Sequence, residues 1–495
     1  MRCDSLFGKD GLFVDSKTFL DIEPKGNLDS ILIAYGQLPQ PKTYRTLYRF
    51  ITEYFSIPNE NIIVNQKFSN IDEYIKALWS LLQHKPKSIK GGTFLPLDYP
   101  YFVPGGRFRE IYYWDSYFSM LGMACDGEVQ LIENLVNNFA KIIDSFGFIP
   151  NGNRSYYLGR SQPPFFAQMV ELLAQTRQRD SIYIKYLPEM QKEYTFWMKG
   201  AETLSPSNKA SLHTVRMADG SVLNRYYDIF DTPRDEMYRN DVETGKSLKA
   251  SDNSINLGKL FRDLRSAAES GHDFSSRWMS NGKNLYTTHT TDFVPTDLNS
   301  LLYKTECILS YAYSIKKDKQ QAEFFYQQAR KRKKAINKYL WDGKRQYYFD
   351  YIWNEERRSD VYSLAGTVPL YCHVATKNNA KKASETIMRT FLRAGGLVTT
   401  PNHTGEQWDA PNGWAPLQWM AYKGFYDYGY RKYADIIRSR WMHLCESEFN
   451  RTGVLFEKYN VEDSHTSHGG EYLNQVGFGW SNGVYQAMKY NWQTK

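Results

Sequence analysis

The chain has 495 residues, 42 % of them hydrophobic and 23 % charged, with a formal net charge of +8. This balance is typical of a globular protein with a large core and excludes a disordered chain. No run of about 18 apolar residues is present, so we expect no membrane-spanning helix and no membrane partner. The N-terminal residues lack the apolar core of a secretory signal, which favours a cytoplasmic protein. A leader removed before Met1 would instead make the protein periplasmic or secreted.

Cysteine usage also bears on the compartment. The five cysteines are Cys3, Cys125, Cys307, Cys372 and Cys445. They lie far apart, and no pair has the spacing of metal ligands. An odd and sparse set is typical of free thiols in a reducing compartment and not of a disulfide framework. We therefore expect free thiols and, again, a cytoplasmic protein.

Helical periodicity dominates the chain. In chain order, the spacing of apolar residues predicts helices over 186–200, 298–312, 321–341, 379–393 and 417–446. Asp297 is a candidate N-cap for the second of these, and strand-like alternation is short and local, as in 346–351. Period counting does not separate a helical bundle from a toroid, but long helices joined by Gly- and Pro-containing loops predict an all-α fold. Because no linker or shift in composition appears, we expect one domain over residues 1–495.

The most basic segment is Gln328–Lys338. It falls within a predicted helix whose buried side would be formed by Phe324, Phe325, Ala335, Ile336 and Leu340. A solvated helix face explains such a segment better than a nucleic-acid site does, because no DNA- or RNA-binding motif accompanies it. We expect no nucleic-acid partner.

Two segments combine arginine, carboxylates, tryptophan and glycine more densely than folding alone requires. The first is Pro104-Gly-Gly-Arg-Phe-Arg-Glu-Ile-Tyr-Tyr-Trp-Asp-Ser-Tyr117, and the second is Gln407-Trp-Asp-Ala-Pro-Asn-Gly-Trp-Ala-Pro-Leu-Gln418. Tryptophan offers a flat apolar face, whereas Arg and Asp offer oriented hydrogen bonds. A sugar presents the matching surfaces, namely C–H faces and a ring of hydroxyls. The segments indicate a carbohydrate site.

Both segments resemble, nearly letter for letter, the two signature motifs of the trehalases, which hydrolyse α,α-trehalose to two glucoses. The resemblance extends from about Phe19 to Tyr490 and leaves about residues 1–18 as an N-terminal extension. It implies a single catalytic domain folded as an (α/α)6 toroid, with the active site on loops at its mouth. It also implies a small disaccharide as substrate and a mechanism without cofactor or metal. His465 and His468 alone are weak grounds for a metal site, because no third ligand accompanies them.

Glycoside hydrolysis requires two carboxyl groups, and 54 acidic residues prevent spacing from selecting them. Asp273 lies in Glu269-Ser-Gly-His-Asp-Phe-Ser-Ser-Arg-Trp278, where an isolated Asp would be taken for a loop cap. The resemblance implies that Asp273 is the general acid and that Glu457, in Glu-Lys-Tyr, is the general base. Glu471 competes with Glu457 for that role, and a surface ion pair with Lys458 is the alternative explanation of Glu457.

The resemblance further implies an inverting mechanism, for which the two carboxyl groups should lie about 6.5–9.5 Å apart. Nearby arginines lower the pKa of a carboxyl, whereas a general acid needs a raised pKa. We therefore expect burial and the charge of Glu457 to raise the pKa of Asp273.

The resemblance assigns sugar contacts to residues across the chain. The expected substrate-binding residues are Arg107, Trp114, Asp115, Asn151, Arg160, Arg234, Glu236, Gly271, Trp408, Asp409 and Glu471. Guanidinium groups suit paired hydroxyls, although a surface ion pair is the commoner role of any single arginine. Trp408, Asp409 and Trp414 should form the wall and the glucose platforms.

The sequence departs from the family pattern near the expected site. His272 stands where the family usually has Trp, and it either titrates near neutrality or is packed and neutral. The segment Ser464–Gly470 has two histidines where glycines are common, which predicts a stiffer lid. Val476 replaces an acidic residue.

These departures keep two other functions open. One is a catalytically impaired protein that binds or senses trehalose. The other is an (α/α)6 glycosidase for a different α-glucoside, because fold alone does not determine the substrate. Whichever of these functions holds, trehalase included, we expect a monomer.

Overall fold

The computed structural model describes residues 12–13, 15–58, 67–86, 91–251, 254, 256–467 and 470–492. Helices account for 54 % of these residues and strands for 11 %, which confirms the all-α prediction. The α-helices are α1 (Ser16–Leu20), α2 (Leu28–Gly36), α3 (Tyr44–Tyr54), α4 (Ile71–Leu81), α5 (Tyr113–Asp126), α6 (Val129–Phe146), α7 (Phe166–Arg177), α8 (Ser181–Lys185), α9 (Leu187–Met198), α10 (Tyr238–Ser251), α11 (Leu257–Glu269), α12 (Thr296–Ile315), α13 (Lys319–Tyr339), α14 (Val368–Tyr371), α15 (Lys377–Phe391), α16 (Ala415–Asp427), α17 (Arg431–Thr452) and α18 (Gly479–Lys489).

The strands are two or three residues long and pair in small antiparallel sheets at the ends of helices. They are β1 (Glu23–Pro24), β2 (Phe55–Ser56), β3 (Gln83–His84), β4 (Tyr101–Phe102), β5 (Ala210–Ser211), β6 (Thr214–Arg216), β7 (Val222–Asn224), β8 (Phe293–Val294), β9 (Trp341–Asp342), β10 (Tyr347–Tyr348), β11 (Tyr351–Ile352), β12 (Arg357–Arg358), β13 (Leu392–Arg393), β14 (Gly396–Leu397), β15 (Asn412–Trp414), β16 (Lys458–Asn460) and β17 (His465–Thr466). The sheets are β1–β2, β3–β4, β5–β6–β7, β8–β11–β12, β9–β10, β13–β14 and β15–β16–β17.

The helices form two concentric rings. The inner ring runs through α5, α7, α12, α14, α16 and α18, each in contact with the next, and α18 returns to α5. Inner helices are buried nearly all round, as in α18, where 10 of 11 residues are buried. Helices surrounded on every side need apolar or small residues on every face. This arrangement is the expected (α/α)6 toroid.

The outer ring is amphipathic. Helices α4, α6, α9, α13, α15 and α17 contact the inner helices or the turn Leu364–Thr367 that leads into α14. In α13 only 6 of 21 residues are buried, which leaves its other face to water. The basic segment predicted as a solvated face lies on this helix, but Arg332 is buried and pairs with Glu306 at 2.9 Å. Phe324, expected in the core, is 48 % exposed.

The ring closes where α5 meets α18, whose backbones touch. A Cβ on Gly122 would lie 2.6 Å from the Cα of Gly483, and a Cβ on Gly483 would lie 2.1 Å from the carbonyl oxygen of Phe118. The backbone N–H of Gly479 also donates to the carbonyl of Pro104 at 2.8 Å. Glycine is required at this crossing because any side chain would separate the two helices.

Several predicted elements differ in detail from the observed ones. The segment 417–446 is two helices, because the chain turns at Gly429, where φ is +84°, between α16 and α17. Asp297 does not cap α12. It lies in the first turn of that helix, where it binds Arg277. The predicted strand over 346–351 is divided between β10 and β11, which belong to different sheets.

Helix α1 begins at Ser16 and contacts the turn Asp235–Met237, so residues 16–18 pack on the toroid. Among the described residues, no helix combines the length and apolar character that crossing a bilayer requires.

Candidate active site

A cavity at the mouth of the toroid gathers loops from both halves of the chain. It contains about 640 Å³ of empty space, including its opening to solvent. Twelve of the thirteen expected site residues line it: Arg107, Trp114, Asp115, Asn151, Arg160, Arg234, Glu236, Gly271, Asp273, Trp408, Glu457 and Glu471. The exception is Asp409. Lys17, Phe108, Tyr112, Tyr157, Gln162, Met237, Ala268, Trp414, Tyr472, Phe478 and Trp480 complete the lining.

The first motif reaches the cavity through a glycine turn. Gly105 and Gly106 have φ angles of +114° and +59°, which residues with a side chain adopt reluctantly. A Cβ on Gly106 would collide with the side chain of Gln475, and the amide oxygen of Gln475 accepts a hydrogen bond from the backbone N–H of Arg107 at 2.8 Å. The turn therefore presents Arg107 at the cavity and joins it to the segment that follows Glu471.

The segment that carries Asp273 is fixed by the second motif. Gln407 donates through Nε2 to the carbonyl of Asp273 at 2.5 Å, and the N–H of Trp408 donates to the carbonyl of Phe274 at 2.9 Å. Just before Asp273, Gly271 has a φ of +74°, and a Cβ there would lie 2.6 Å from the ring of Trp114. The two motifs and the Asp273 segment therefore form one packed unit.

Asp273 has the electrostatic environment of a general acid. Its side chain is 29 % exposed, but desolvation within the cavity, followed by the charge of Glu471, raises its pKa to about 7 against the opposing effects of Arg234 and Arg160. The nearest guanidinium nitrogen, Nη1 of Arg234, is 3.9 Å from Oδ2. The carboxylate that contributes most to raising the pKa of Asp273 is thus Glu471, whereas the sequence pointed to Glu457.

Glu457 is only 1 % exposed and is held at both carboxylate oxygens. The hydroxyl of Tyr472 donates to Oε1 at 2.8 Å, and the ammonium of Lys458 donates to Oε2 at 3.0 Å. Lys458 is fully buried, so the surface ion pair considered from the sequence is instead an internal one. Sequence reasoning missed both donors as parts of the site. The Glu-Lys-Tyr and Glu-Tyr elements contained the signal, since each donor adjoins a candidate glutamate.

Each of the three arginines is paired with its own carboxylate. Arg234 binds Asp241 (Nη2–Oδ1, 2.7 Å) and Glu471 (Nη2–Oε1, 2.9 Å). Arg160 donates to Glu236 Oε1 at 2.6 Å and to Asn151 Oδ1 at 3.0 Å. Arg107 lies 2.6 Å from Asp15. The pairing orients the guanidinium groups and offsets their charge close to Asp273.

Some polar atoms of the lining residues make no hydrogen bond to the protein. Within the described residues, Nη1 of Arg160, Oε2 of Glu236 and Nε of Arg107 are buried without a hydrogen bond. Although burial opposes ionisation, Arg160, Arg234 and Arg265 lower the pKa of Glu236, which is therefore anionic at neutral pH. Buried donors and acceptors left unpaired are costly unless a ligand satisfies them. Here they suit the hydroxyls of a sugar.

Asp115 differs from these carboxylates. It lines the cavity, and burial, reinforced by the charges of Glu457 and Asp273, raises its pKa well above the usual range. A protonated Asp115 can donate a hydrogen bond as well as accept one. It is therefore suited to a sugar hydroxyl, which also donates and accepts.

Four tryptophans form the aromatic wall: Trp114, Trp408, Trp414 and Trp480. Trp408 stacks on Trp414 at 3.8 Å and on His272 at 4.7 Å. Because both of its faces are covered, Trp408 reaches the cavity with its edge and is not a platform for a sugar face. Trp480 meets Trp114 edge to face at 5.9 Å.

Asp409 and His272 support the site from outside the cavity. Asp409 is fully buried and accepts hydrogen bonds from Ser275, Ser276, Thr400 and Thr404. It does not line the cavity. It ties the second motif to the chain just beyond Asp273.

His272 is buried, and its Nδ1 lies 2.9 Å from Nη1 of Arg277. Burial, followed by the charge of Arg277, holds its pKa well below the usual range. This confirms the packed, neutral histidine. Arg277 in turn binds Asp297 at 2.8 Å and Asp350 at 2.7 Å.

The expected lid is partly described. Glu471 and Tyr472 line the cavity, and Val476 is 42 % exposed. His468 lies outside the described residues, as does Gly469. In the part of the chain that the structure covers, no group of three or more His, Cys, Asp and Glu side chains is arranged to hold a metal ion.

Comparison with known proteins agrees with this geometry. The trehalase family model matches residues 11–490. Neutral trehalase Nth1 from Saccharomyces cerevisiae is 26 % identical, with a TM-score of 0.67 over 91 % of this chain and 84 % of that one. A GH63 mannosylglycerate hydrolase from Thermus thermophilus is 17 % identical, with a TM-score of 0.52 over 79 % and 95 % of the respective chains, and shares the fold. By its family match and its structure, the chain belongs to the trehalase family of glycoside hydrolases.

Proposed function

We propose that this protein hydrolyses α,α-trehalose to two glucose molecules, with inversion at one anomeric carbon. The observation that carries the proposal is the contrast between two carboxyl groups in one cavity. Asp273 has a pKa of about 7, whereas both oxygens of Glu457 accept hydrogen bonds. Two carboxyl groups in different environments are what acid and base roles require.

Asp273 is the general acid in this mechanism. With a pKa of about 7, a large fraction of Asp273 is protonated at neutral pH. It donates its proton to the glycosidic oxygen as the bond between that oxygen and the anomeric carbon breaks. The leaving glucose takes the proton and keeps its α configuration, and Asp273 is left as a carboxylate.

Glu457 is the general base. It takes a proton from the water that attacks the anomeric carbon on the opposite face, so the second glucose is released in the β configuration. Tyr472 and Lys458 fix the orientation of the carboxylate. Exchange of protons with solvent returns both groups to their starting states. The separation of about 6.5–9.5 Å expected for an inverting pair remains a prediction.

Selectivity for trehalose would come from polar groups that only hydroxyls satisfy. Arg160 and Glu236 each have a buried polar atom that makes no hydrogen bond within the described residues. A glucose that lacks one hydroxyl would leave such atoms unpaired, which costs far more than a lost apolar contact.

We infer that the protein acts in the cytoplasm as a monomer. The thiols of Cys125, Cys307, Cys372 and Cys445 are free, which supports a reducing compartment; Cys3 lies outside the described residues. Sedimentation velocity of the purified protein tests the monomer, since a dimer would sediment faster and give about twice the mass.

Proton NMR of the protein mixed with trehalose tests the proposal, because it resolves the glucose anomers before they equilibrate. We expect equal amounts of α- and β-glucose in the first minutes. Asp273→Asn and Glu457→Gln, which preserve side-chain size, should each lower kcat by at least about 1000-fold. Two equivalents of α-glucose would show retention and overturn the assigned pair. If no glucose forms but saturation transfer shows bound trehalose, the protein is a sensor.

A further inference from the structure

The segment 15–21 is anchored in the toroid by buried charges. The ammonium of Lys17 lies 2.5 Å from Asp21 and 2.9 Å from Glu110, and Nε of Arg154 lies 2.7 Å from Glu110. All four side chains are at most 4 % exposed. A fully paired cluster of this kind fixes the position of the chain, because separating its members would leave buried charges uncompensated.

Asp15, at the start of this segment, makes separate contacts through its two carboxylate oxygens. Its Oδ1 accepts hydrogen bonds from the N–H and hydroxyl of Thr18 at 2.7 and 2.9 Å, which caps α1. Its Oδ2 lies 2.6 Å from Nη2 of Arg107. One carboxylate therefore joins the helix N-terminus to an arginine of the cavity wall.

Arg107 depends on such a partner. Its side chain is 13 % exposed, and its guanidinium packs 4.8 Å from the ring of Tyr472, whose hydroxyl holds Glu457. Among the described residues, Asp15 is the carboxylate within ion-pair distance of Arg107. An arginine side chain has several rotatable bonds, so without this contact it would populate other rotamers.

The same short helix also supports a second part of the site. Helix α1 contacts the turn Asp235–Met237, which carries Glu236, and Lys17 itself lines the cavity. The N-terminal segment therefore braces two parts of the wall that come from distant regions of the chain.

We propose that Asp15 is a positioning residue of the active site, whose carboxylate holds the guanidinium of Arg107 in the orientation that meets a substrate hydroxyl. The inference rests on the proposed trehalose hydrolysis. Asp15 acts through Arg107 and does not touch the substrate, so its contribution should vanish when Arg107 is removed.

A double-mutant cycle tests this dependence. Asp15→Asn preserves the helix cap, since Asn caps as well as Asp does, and it removes the charge that binds Arg107. We expect kcat/KM for trehalose to fall about 10-fold in Asp15→Asn, with Tm within about 2 °C of the wild type. In an Arg107→Gln background, the same substitution should change kcat/KM less than about 2-fold. Asp29→Asn, which removes one exposed acidic side chain from the first turn of α2, is the matched control and should change neither value.

The outcomes separate this inference from the proposed function. If the wild type does not hydrolyse trehalose, both are wrong. If the wild type is active and Asp15→Asn is equally active, or loses the same factor in both backgrounds, Asp15 does not position Arg107. If Arg107→Gln is too slow to measure, the Kd of an iminosugar inhibitor of glucosidases, determined by calorimetry, replaces kcat/KM for all four proteins of the cycle. We then expect Asp15→Asn to raise Kd about 10-fold in the wild-type background and less than about 2-fold in the Arg107→Gln background.

Discussion

Asp241 binds the guanidinium of Arg234 at a distance of 2.7 Å, and that guanidinium lies 3.9 Å from the carboxyl of Asp273. Asp241 is 1 % exposed and does not line the cavity. Its negative charge therefore offsets the cation that most directly opposes protonation of the general acid. Arg234 can lie beside Asp273 without making it a strong acid.

Removal of that charge should shift the pH dependence of catalysis. In Asp241→Asn, Arg234 acts on Asp273 with less compensation, so the pKa of Asp273 should fall. The general acid works in its protonated form, and activity is lost as pH rises through its pKa. We therefore expect the high-pH limb of kcat/KM to move to lower pH by about one unit. A pH series from about 4 to 9 measures it.

Asp263 provides the control for this variant. It is also 1 % exposed, and it binds Thr291 outside the cavity lining. Asp263→Asn should lower stability and leave the high-pH limb in place. A uniform loss of activity at every pH in Asp241→Asn would show that Asp241 is merely structural.

His272 should remain neutral throughout the range in which an ordinary histidine titrates. Its folded-state pKa is depressed, so the unfolded chain binds the proton more readily, and stability should decrease as pH falls below about 6.5. Because Arg277 donates to Nδ1, the ring proton must be on Nε2. Nitrogen-15 NMR should show this neutral tautomer from about pH 5 to 8. In His272→Phe, Tm should depend less on pH over this interval. Detection of an imidazolium at about pH 6 would contradict the prediction.

Asp409 should matter to stability more than to substrate affinity. It accepts hydrogen bonds from four hydroxyl-bearing side chains and one backbone N–H. Asp409→Asn would place an amide N–H₂ against some of these donors and should cost about 3 kcal/mol. We expect a lower Tm and lower kcat, because the Asp273 segment loosens, with KM changed less than about 2-fold. A large rise in KM at unchanged Tm would instead indicate that Asp409 binds the sugar.

The crossing of α5 and α18, which closes the ring, should leave no space for even a methyl group at Gly483. The added Cβ would lie 2.1 Å from the carbonyl of Phe118, so α18 must move away from α5. We expect Gly483→Ala to lose at least about 3 kcal/mol of stability and most of its activity. Gly36→Ala is the control, because a Cβ there meets nothing within 4 Å. It should leave Tm unchanged or slightly raised. Equal thermal denaturation curves for the two variants would refute the tight crossing.

The sequence was most informative where chemistry is concentrated in short segments. The motifs beginning at Pro104 and Gln407 predicted the cavity because their residues are unnecessary for a helix or a strand. Asp409 shows the limit of this reasoning. It adjoins Trp408, yet its side chain points away from the cavity, and a motif does not specify the direction of each side chain in an irregular loop.

The ion pairs that orient the charged side chains of the site could not be predicted from the sequence, because they join residues that are far apart in the chain or that are seldom buried. Asp15 and Arg107 lie 92 residues apart in the chain, at positions 15 and 107, and local periodicity cannot bring them together. The burial of Lys458 could not be predicted for another reason. Lysine is rarely buried, so the ordinary expectation for Glu457 and Lys458 is an ion pair at the surface. The burial of both follows from the pairing of β15 with β16, which sets Trp414 opposite Lys458.

The crossing of α5 and α18 has a consequence for biosynthesis. One wall of the cavity, including Trp480, belongs to the last described helix, whereas Trp114 belongs to the first helix of the inner ring. A nascent chain still attached to the ribosome therefore cannot turn over substrate until residues 479–489 have emerged. Until then, α5 and α16 expose the apolar faces that α18 covers in the folded protein. The chain can aggregate or bind chaperones through these faces. Contacts between such distant segments also form slowly, so activity should appear later than helical structure when the denatured protein refolds.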